Sequence, residues 1–178
     1  MLAQLEAVER MRDQMLAELE ARSPAVRSAR PASGGWSALE VIEHLVLSEE
    51  SVTAGIDDLA GRPPKRASLR SRIGYAMVLG VLALPMPVKV PTADMEPKGT
   101  RSLEELRKAW EESHRTLRRH IQAVHEGKVS GPVFSHPVSG ALTTEQAIRM
   151  LSVHVKRHRK QFRRIMEASE KDREADLR

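Results

Sequence analysis

The chain contains no cysteine. That absence excludes disulfides, zinc–thiolate sites and a protein thiol nucleophile, and it fits a reducing compartment. Aromatic residues are scarce, with two Trp, one Tyr and two Phe in 178 residues, too few for a surface that stacks unpaired bases. No helix-turn-helix, finger or RNA-binding signature occurs, so no nucleic-acid partner is expected. Long apolar runs are missing as well. The longest, residues 73–84, has twelve residues, whereas a membrane span needs about 20. The opening MLAQLEAVERMRDQMLAELEAR is charged and amphipathic, without the apolar centre of a secretion signal. A cytoplasmic protein without a membrane span is the expectation.

Charge is present in quantity. Twenty-nine Lys and Arg against 24 Asp and Glu give a net charge of +5. The basic residues gather in two places, residues 62–72 and a helical face bearing Lys156, Arg157, Arg159, Lys160, Arg163 and Arg164. Such runs read as solvated faces. The length suits one domain with a substantial core. We expect a single domain over 1–178, with its core at about 2–168 and a charged tail at 169–178.

Four long helical patterns emerge. The first runs from Leu2 to Arg22 and should stop at Ser23-Pro24, because proline disfavours helix at the residue before it. A Ser-, Pro- and Gly-rich linker follows at 28–35. The second helix opens with Ser37 and Glu40 in capping-box relation, with Trp36 placed to staple against Val41, and runs to Leu59. The third opens with Ser102 and Glu105 and runs to Gly127. The fourth opens with Thr143 and Gln146 and runs to Ala168. Between the second and third, residues 67–99 are apolar, punctuated by glycine and then broken by Pro85, Pro87 and Pro91. They read as a short buried helix followed by an extended crossover. This segment lacks the charged face of an amphipathic anchor, and an interfacial contact or a homodimer surface is the alternative. No β-hairpin signature is evident. The expected architecture is all-α: a four-helix bundle with one long crossover containing a short extra helix.

Three histidines stand out on this framework. His154 and His158 are four apart, which places both imidazoles on one helix face about a turn apart. They fall within the apolar arc of Ala147, Leu151, Val155, Phe162 and Ile165. His44 lies at the border of the second helix's arc (Ile42, Leu45, Val52, Ile56), beside a column of small positions, Ser37, Ser48, Ser51 and Gly55, that suggests a cavity wall. Two histidines from one helix and one from another could form a three-nitrogen metal site with open positions, as a catalytic metal requires. Each could instead be a hydrogen-bonded core residue. With about 1.5 Å of rise per residue, His44 lies roughly 10 Å into its helix and the other two roughly 16–22 Å into theirs, so the helices must start at different levels.

Other polar residues are harder to place. Glu49 falls inside the apolar arc and needs a basic partner or a hydrogen-bond network if buried. His114 shares an arc with Leu103, Trp110, Leu117 and Ile121; it could be a fourth ligand, a partner to a ligand or plain core, and we read it as core. Gln161 flanks the edge near His158 and could line a pocket. His120 and His125 lie toward the polar side with no evident role.

Three segments taken together, Gly35-Trp36-Ser37 through Glu43-His44-Leu45, His136-Pro137-Val138-Ser139-Gly140, and His154 through His158 to Gln161, resemble the DinB-like superfamily of DinB/YfiT type. The similarity covers roughly residues 5 to 168. It implies a four-helix bundle in which His44, His154 and His158 hold a divalent metal, zinc or nickel. It also implies that His136 is not a ligand but a cap or anchor for the loop leading into the fourth helix. Characterised members of the family include transferases and an isomerase that use low-molecular-weight thiols such as bacillithiol or mycothiol.

The expected function is therefore a metal-dependent enzyme acting on a small molecule, with a thiol S-transferase as the leading form. A divalent cation lowers a thiol's pKa and keeps it nucleophilic; hydrolysis, with water in the thiol's place, is the variant. No catalytic general base is assignable. Two rivals stand beside this reading: a non-catalytic bundle whose metal or small ligand serves structure or stress response, and an interaction protein using the basic face and segment 73–84.

Overall fold

The computed structural model describes residues 1–32, 34–59, 69–84, 92–129, 131–136 and 138–176, with side chains described except at 57–59, 69–71, 133–135 and 170–176. Its elements are α1 (Leu2–Glu20), α2 (Pro24–Ser28), α3 (Ala38–Leu59), α4 (Leu69–Ala83), a 3₁₀ turn (Ala93–Met95), α5 (Leu103–His125), β1 (Pro132–His136), β2 (Gly140–Thr143) and α6 (Thr144–Asp176). The protein is mostly helical, as expected.

The capping signals account for the helix starts. Before α3, the Glu40 amide donates to Ser37 Oγ at 3.2 Å and the Ser37 amide donates to Glu40 Oε2 at 2.8 Å. Ser102 and Glu105 repeat this at α5 with 3.3 and 2.7 Å, and Thr143 and Gln146 at α6 with 3.3 and 3.0 Å. Each pair satisfies two amides that the helix itself cannot. Glu40 also takes a two-point ion pair from Arg30 at 2.5 and 3.0 Å, anchoring the segment that leads into α3.

The four long helices share one core. α1 packs against α5 and α6, and α3 packs against the same two. Leu5, Leu16, Ile42, Leu45, Trp110, Val155 and Phe162 are all fully buried within it. Their spacing along each helix is the amphipathic repeat visible in the sequence.

Three elements differ from expectation. α1 ends at Glu20, and Ser23-Pro24 opens a new short helix, α2, with Ser23 Oγ accepting from the Val26 amide at 3.5 Å and proline in the first turn. Proline there loses nothing, because the first helical amides have no partner in the helix. Arg27 then donates to the carbonyls of Leu19, Glu20 and Arg22, closing the end of α1. Secondly, an antiparallel hairpin of two small strands stands where a loop was expected, in a chain that is otherwise helical, in keeping with the all-α reading. Its register pairs His136 with Gly140 and Phe134 with Leu142, with an irregularity between Pro132 and Phe134. Strands of five and four residues are too short to show a period-two pattern. Gly140 supplies the positive φ of 69° at the turn. Thirdly, α6 continues to Asp176 through the charged tail, which has strong helix formers and no proline.

α4 is the extra helix of the crossover, and it packs against α6. Val78, Leu79 and Leu82 rest on the core, while the Tyr75 hydroxyl donates to the Gln146 carbonyl at 3.2 Å. Pro85, Pro87, Pro91 and most of the basic run 62–72 lie outside the described residues. Gly74 sits where a Cβ would meet the Val138 carbonyl at 3.0 Å and Ser139 Cα at 3.1 Å. Gly74→Leu is therefore expected to push α4 off the hairpin turn and to cost about 1–3 kcal/mol, read as a lowered thermal midpoint. Among the described residues, no helix is long and apolar enough to cross a membrane.

Candidate metal centre

His44 projects from α3, and His154 and His158 from α6. One ring nitrogen from each lies within 4.8 Å of the others, so the staggering of the two helices that the sequence demanded is met. The Nε2 atoms of His44 and His154 are 3.2 Å apart. Two nitrogens each about 2.0 Å from one zinc ion at tetrahedral angles would lie about 3.3 Å apart. The spacing suits a shared cation.

The protonation pattern points the same way. His44 Nδ1 donates to the Met95 carbonyl at 2.8 Å, which can only accept, so His44 Nε2 presents its lone pair. His158 Nδ1 lies 2.9 Å from Gln161 Oε1 and donates to it, leaving its Nε2 free in the same way. A ring nitrogen held this way by an acceptor is the usual support for a metal-ligating imidazole. A bare lone pair of His44 facing His154 Nε2 at 3.2 Å would be repulsive without a proton or a cation between them. The three residues fit a metal ion.

Burial keeps the rings neutral. His44 and His158 are buried. His154 keeps one edge partly exposed, yet its ring is crowded closely enough that desolvation still dominates its titration. Desolvation pulls His44 below the ordinary imidazole value against the pull of the Met95 carbonyl. It pulls His154 well below that value, helped by His158, His44, Arg157 and His136 nearby. His158 falls to about 3, through desolvation and then His44, with Gln161 opposing. All three present lone pairs at neutral pH, as metal ligation requires.

The surrounding residues fix the site. The Trp36 ring lies 4.8 Å from His44 and stacks at 6.2 Å on His158, an apolar wall that its reading as a staple residue did not foresee. Glu43, next to His44 and buried, accepts from the Gly99 amide at 2.7 Å. With the Met95 bond, this pins the end of the crossover against α3. Arg157, between the two α6 histidines, donates to the carbonyls of Val81, Leu82 and Leu84 and so holds the C-terminal end of α4. Among these, only Gln161 carried a signal readable from sequence. Gln161→Leu should weaken zinc or nickel binding about 10–100-fold while leaving the fold intact, as read by competition with a chromogenic chelator.

The remaining candidates lie elsewhere. His114 is not in the triad; its Nδ1 faces Arg12 at 2.8 Å and its Nε2 lies 2.8 Å from Glu49 Oε2. That last contact is close but poorly aligned for a hydrogen bond. Glu49 Oε1 accepts from Trp110 Nε1 at 2.7 Å, so the buried carboxylate has the partners the sequence demanded. His136 Nδ1 accepts from the amides of Val138 and Ser139 at 3.1 and 3.3 Å, capping the hairpin turn as its place in the motif implies. His120, given no role from sequence, bonds Thr144 Oγ1 at 3.1 Å and so joins α5 to the start of α6. The Ser48 hydroxyl donates to the His44 carbonyl of its own helix at 2.8 Å. A surface notch of about 260 Å³ is lined by Glu9, Arg12, Glu111, His114, Arg115 and Arg118. None of the triad lines it, and Arg118 and Glu9 pair across it at 2.5 Å, so we assign it no role in the site.

Fold and site together define a mostly helical protein with a buried three-histidine cluster that could hold a metal ion. A family model for the DinB superfamily matches residues 7–162, a span holding all three histidines, and the chain belongs to that superfamily. Comparison with curated proteins and with solved structures returns no match.

Proposed function

We propose that this protein is a metal-dependent enzyme built on a single four-helix-bundle domain, in which His44, His154 and His158 hold a divalent cation, zinc or nickel. The observation that carries the reading is the convergence of three neutral imidazoles, two of them buried and with the far nitrogen committed to an acceptor. A cation bound there would lower the pKa of a thiol or water brought to it. The chain's own residues do the rest. Met95 and Gln161 orient the rings, Trp36 excludes water from one side, and three protein nitrogens leave room for an exogenous group. The substrate is a small molecule, and a low-molecular-weight thiol is the co-substrate. The chain has no cysteine of its own, so the sulfur would come from outside.

The test is consumption of bacillithiol, mycothiol or glutathione with a reactive aryl halide by zinc- or nickel-loaded protein, beside His154→Ala. Metal-dependent consumption that disappears in the variant is the expected result. A second reading, a non-catalytic metal-binding bundle, rests on the burial of His44 and His158 within the core. Stoichiometric metal without turnover of any thiol would select it.

A further inference from the structure

Beyond Arg72, α4 is apolar all round, a pattern that in a water-soluble setting calls for burial on every side. Only one side is buried, by α6 and the core. On the other, Ile73, Met77, Val81 and Leu84 are 54%, 60%, 40% and 51% exposed. Their spacing of four, four and three residues forms one stripe about 16 Å long. The hairpin turn extends it: Val138, 59% exposed, belongs to the turn that abuts Gly74. Apart from Met1 and Leu2, these are all the exposed large apolar side chains among the described residues. A contiguous apolar patch of this kind marks an interaction surface.

The charge around it is equally lopsided. From Asp58 to Asp94 the sequence has no acidic residue, but it contains Arg62, Lys65, Arg66, Arg70, Arg72 and Lys89. Those six exceed the net charge of the entire chain, +5, so the remaining 23 Lys and Arg against 24 Asp and Glu leave the rest near neutral. All six precede or follow the stripe in sequence, Arg70 and Arg72 in the first turn of α4.

We propose that α4 docks the protein on an anionic membrane surface, with Ile73, Met77, Val81 and Leu84 entering the lipid interface and the acid-free basic sequence on either side of them in the chain supplying the positive charge. Both halves are needed for such binding: apolar area to insert and cations to attract anionic lipid. The fifteen residues of α4 are too few to span a bilayer, so contact is peripheral. A second copy docked through the same stripe would bring two net-positive sequence stretches toward each other, like charge against like. A nucleic acid would satisfy the charge and leave the stripe in water.

The test is co-sedimentation of the tag-free full chain with phosphatidylcholine vesicles, with and without phosphatidylglycerol. Ile73→Glu/Met77→Glu and Arg62→Gln/Lys65→Gln/Arg66→Gln are run alongside, with each variant's fold checked by circular dichroism. Binding should require phosphatidylglycerol, weaken with salt, and fall at least about tenfold in the Ile73→Glu/Met77→Glu variant. The arginine and lysine variant should also bind more weakly. Failure of wild-type protein to bind the anionic vesicles would overturn the proposal. So would undiminished binding by folded Ile73→Glu/Met77→Glu protein, or equal affinity for soluble polyglutamate, either of which means charge alone. A dimer in sedimentation velocity that this variant dissociates would assign the stripe to a second copy instead.

Discussion

Glu49→Ala is expected to lower the unfolding free energy by about 3–5 kcal/mol and the melting point by roughly 6–20 °C. Glu49 is completely buried. Its carboxylate accepts from Trp110 Nε1 at 2.7 Å and lies 2.8 Å from His114 Nε2. The Arg12 guanidinium, 2.8 Å from His114 Nδ1, can only donate, which makes Nδ1 the acceptor and places the ring proton on Nε2, toward Glu49. One chain of polar groups thus joins α1, α3 and α5 through the core. Alanine would leave the indole N–H buried without its acceptor, take the carboxylate away from beside His114, and open a cavity there. An unmet buried donor costs about 1–3 kcal/mol, and the cavity adds to it. Glu49→Gln keeps the shape and one acceptor and should lose about half as much or less. Urea unfolding of both variants reads these values. A Glu49→Ala protein within about 1 kcal/mol of wild type would mean the network contributes little. Metal affinity should not change in either variant, because this cluster shares no residue with the triad.

The second large effect is stabilisation by metal. A ligand that binds only the folded state adds about 2.7 kcal/mol when present at 100 times its dissociation constant. Zinc or nickel should raise the thermal midpoint of wild-type protein accordingly. In His154→Ala/His158→Ala protein the shift should vanish, since one imidazole left on α3 cannot form a chelate. Replacing His44 alone removes one of three donors and should weaken binding at least about 100-fold. A metal-induced shift that survives in the double variant would place the ion elsewhere.

Much of this organisation is written locally in the chain. The three cap pairs, Ser37–Glu40, Ser102–Glu105 and Thr143–Gln146, are short-range signals, and each does start a helix. The i, i+4 pair on α6 and the border position of His44 were enough to suggest a cluster, which the packing of α3 on α6 brings together. The sequence also required a partner for Glu49 but could not name it, since Trp110 and His114 lie about sixty residues away and meet it only through α3–α5 packing. The orienting groups were less legible. Met95 acts through its carbonyl, which every residue possesses, so no side chain announces it. Trp36 reads from sequence as a staple, and only the tertiary contact with His44 and His158 makes it the site's wall. The hairpin escaped because its strands are short and its turn relies on His136 and Gly140 instead of an Asn-Gly pair.

The central claim is that His44, His154 and His158 bind a metal ion. Elemental analysis of protein purified without a histidine tag, beside His154→Ala/His158→Ala protein, tests it most directly. The expected result is close to one zinc or nickel per wild-type chain and none in the variant. Wild-type protein that holds no metal even after incubation with zinc and nickel, or a variant that retains as much as wild type, would contradict it.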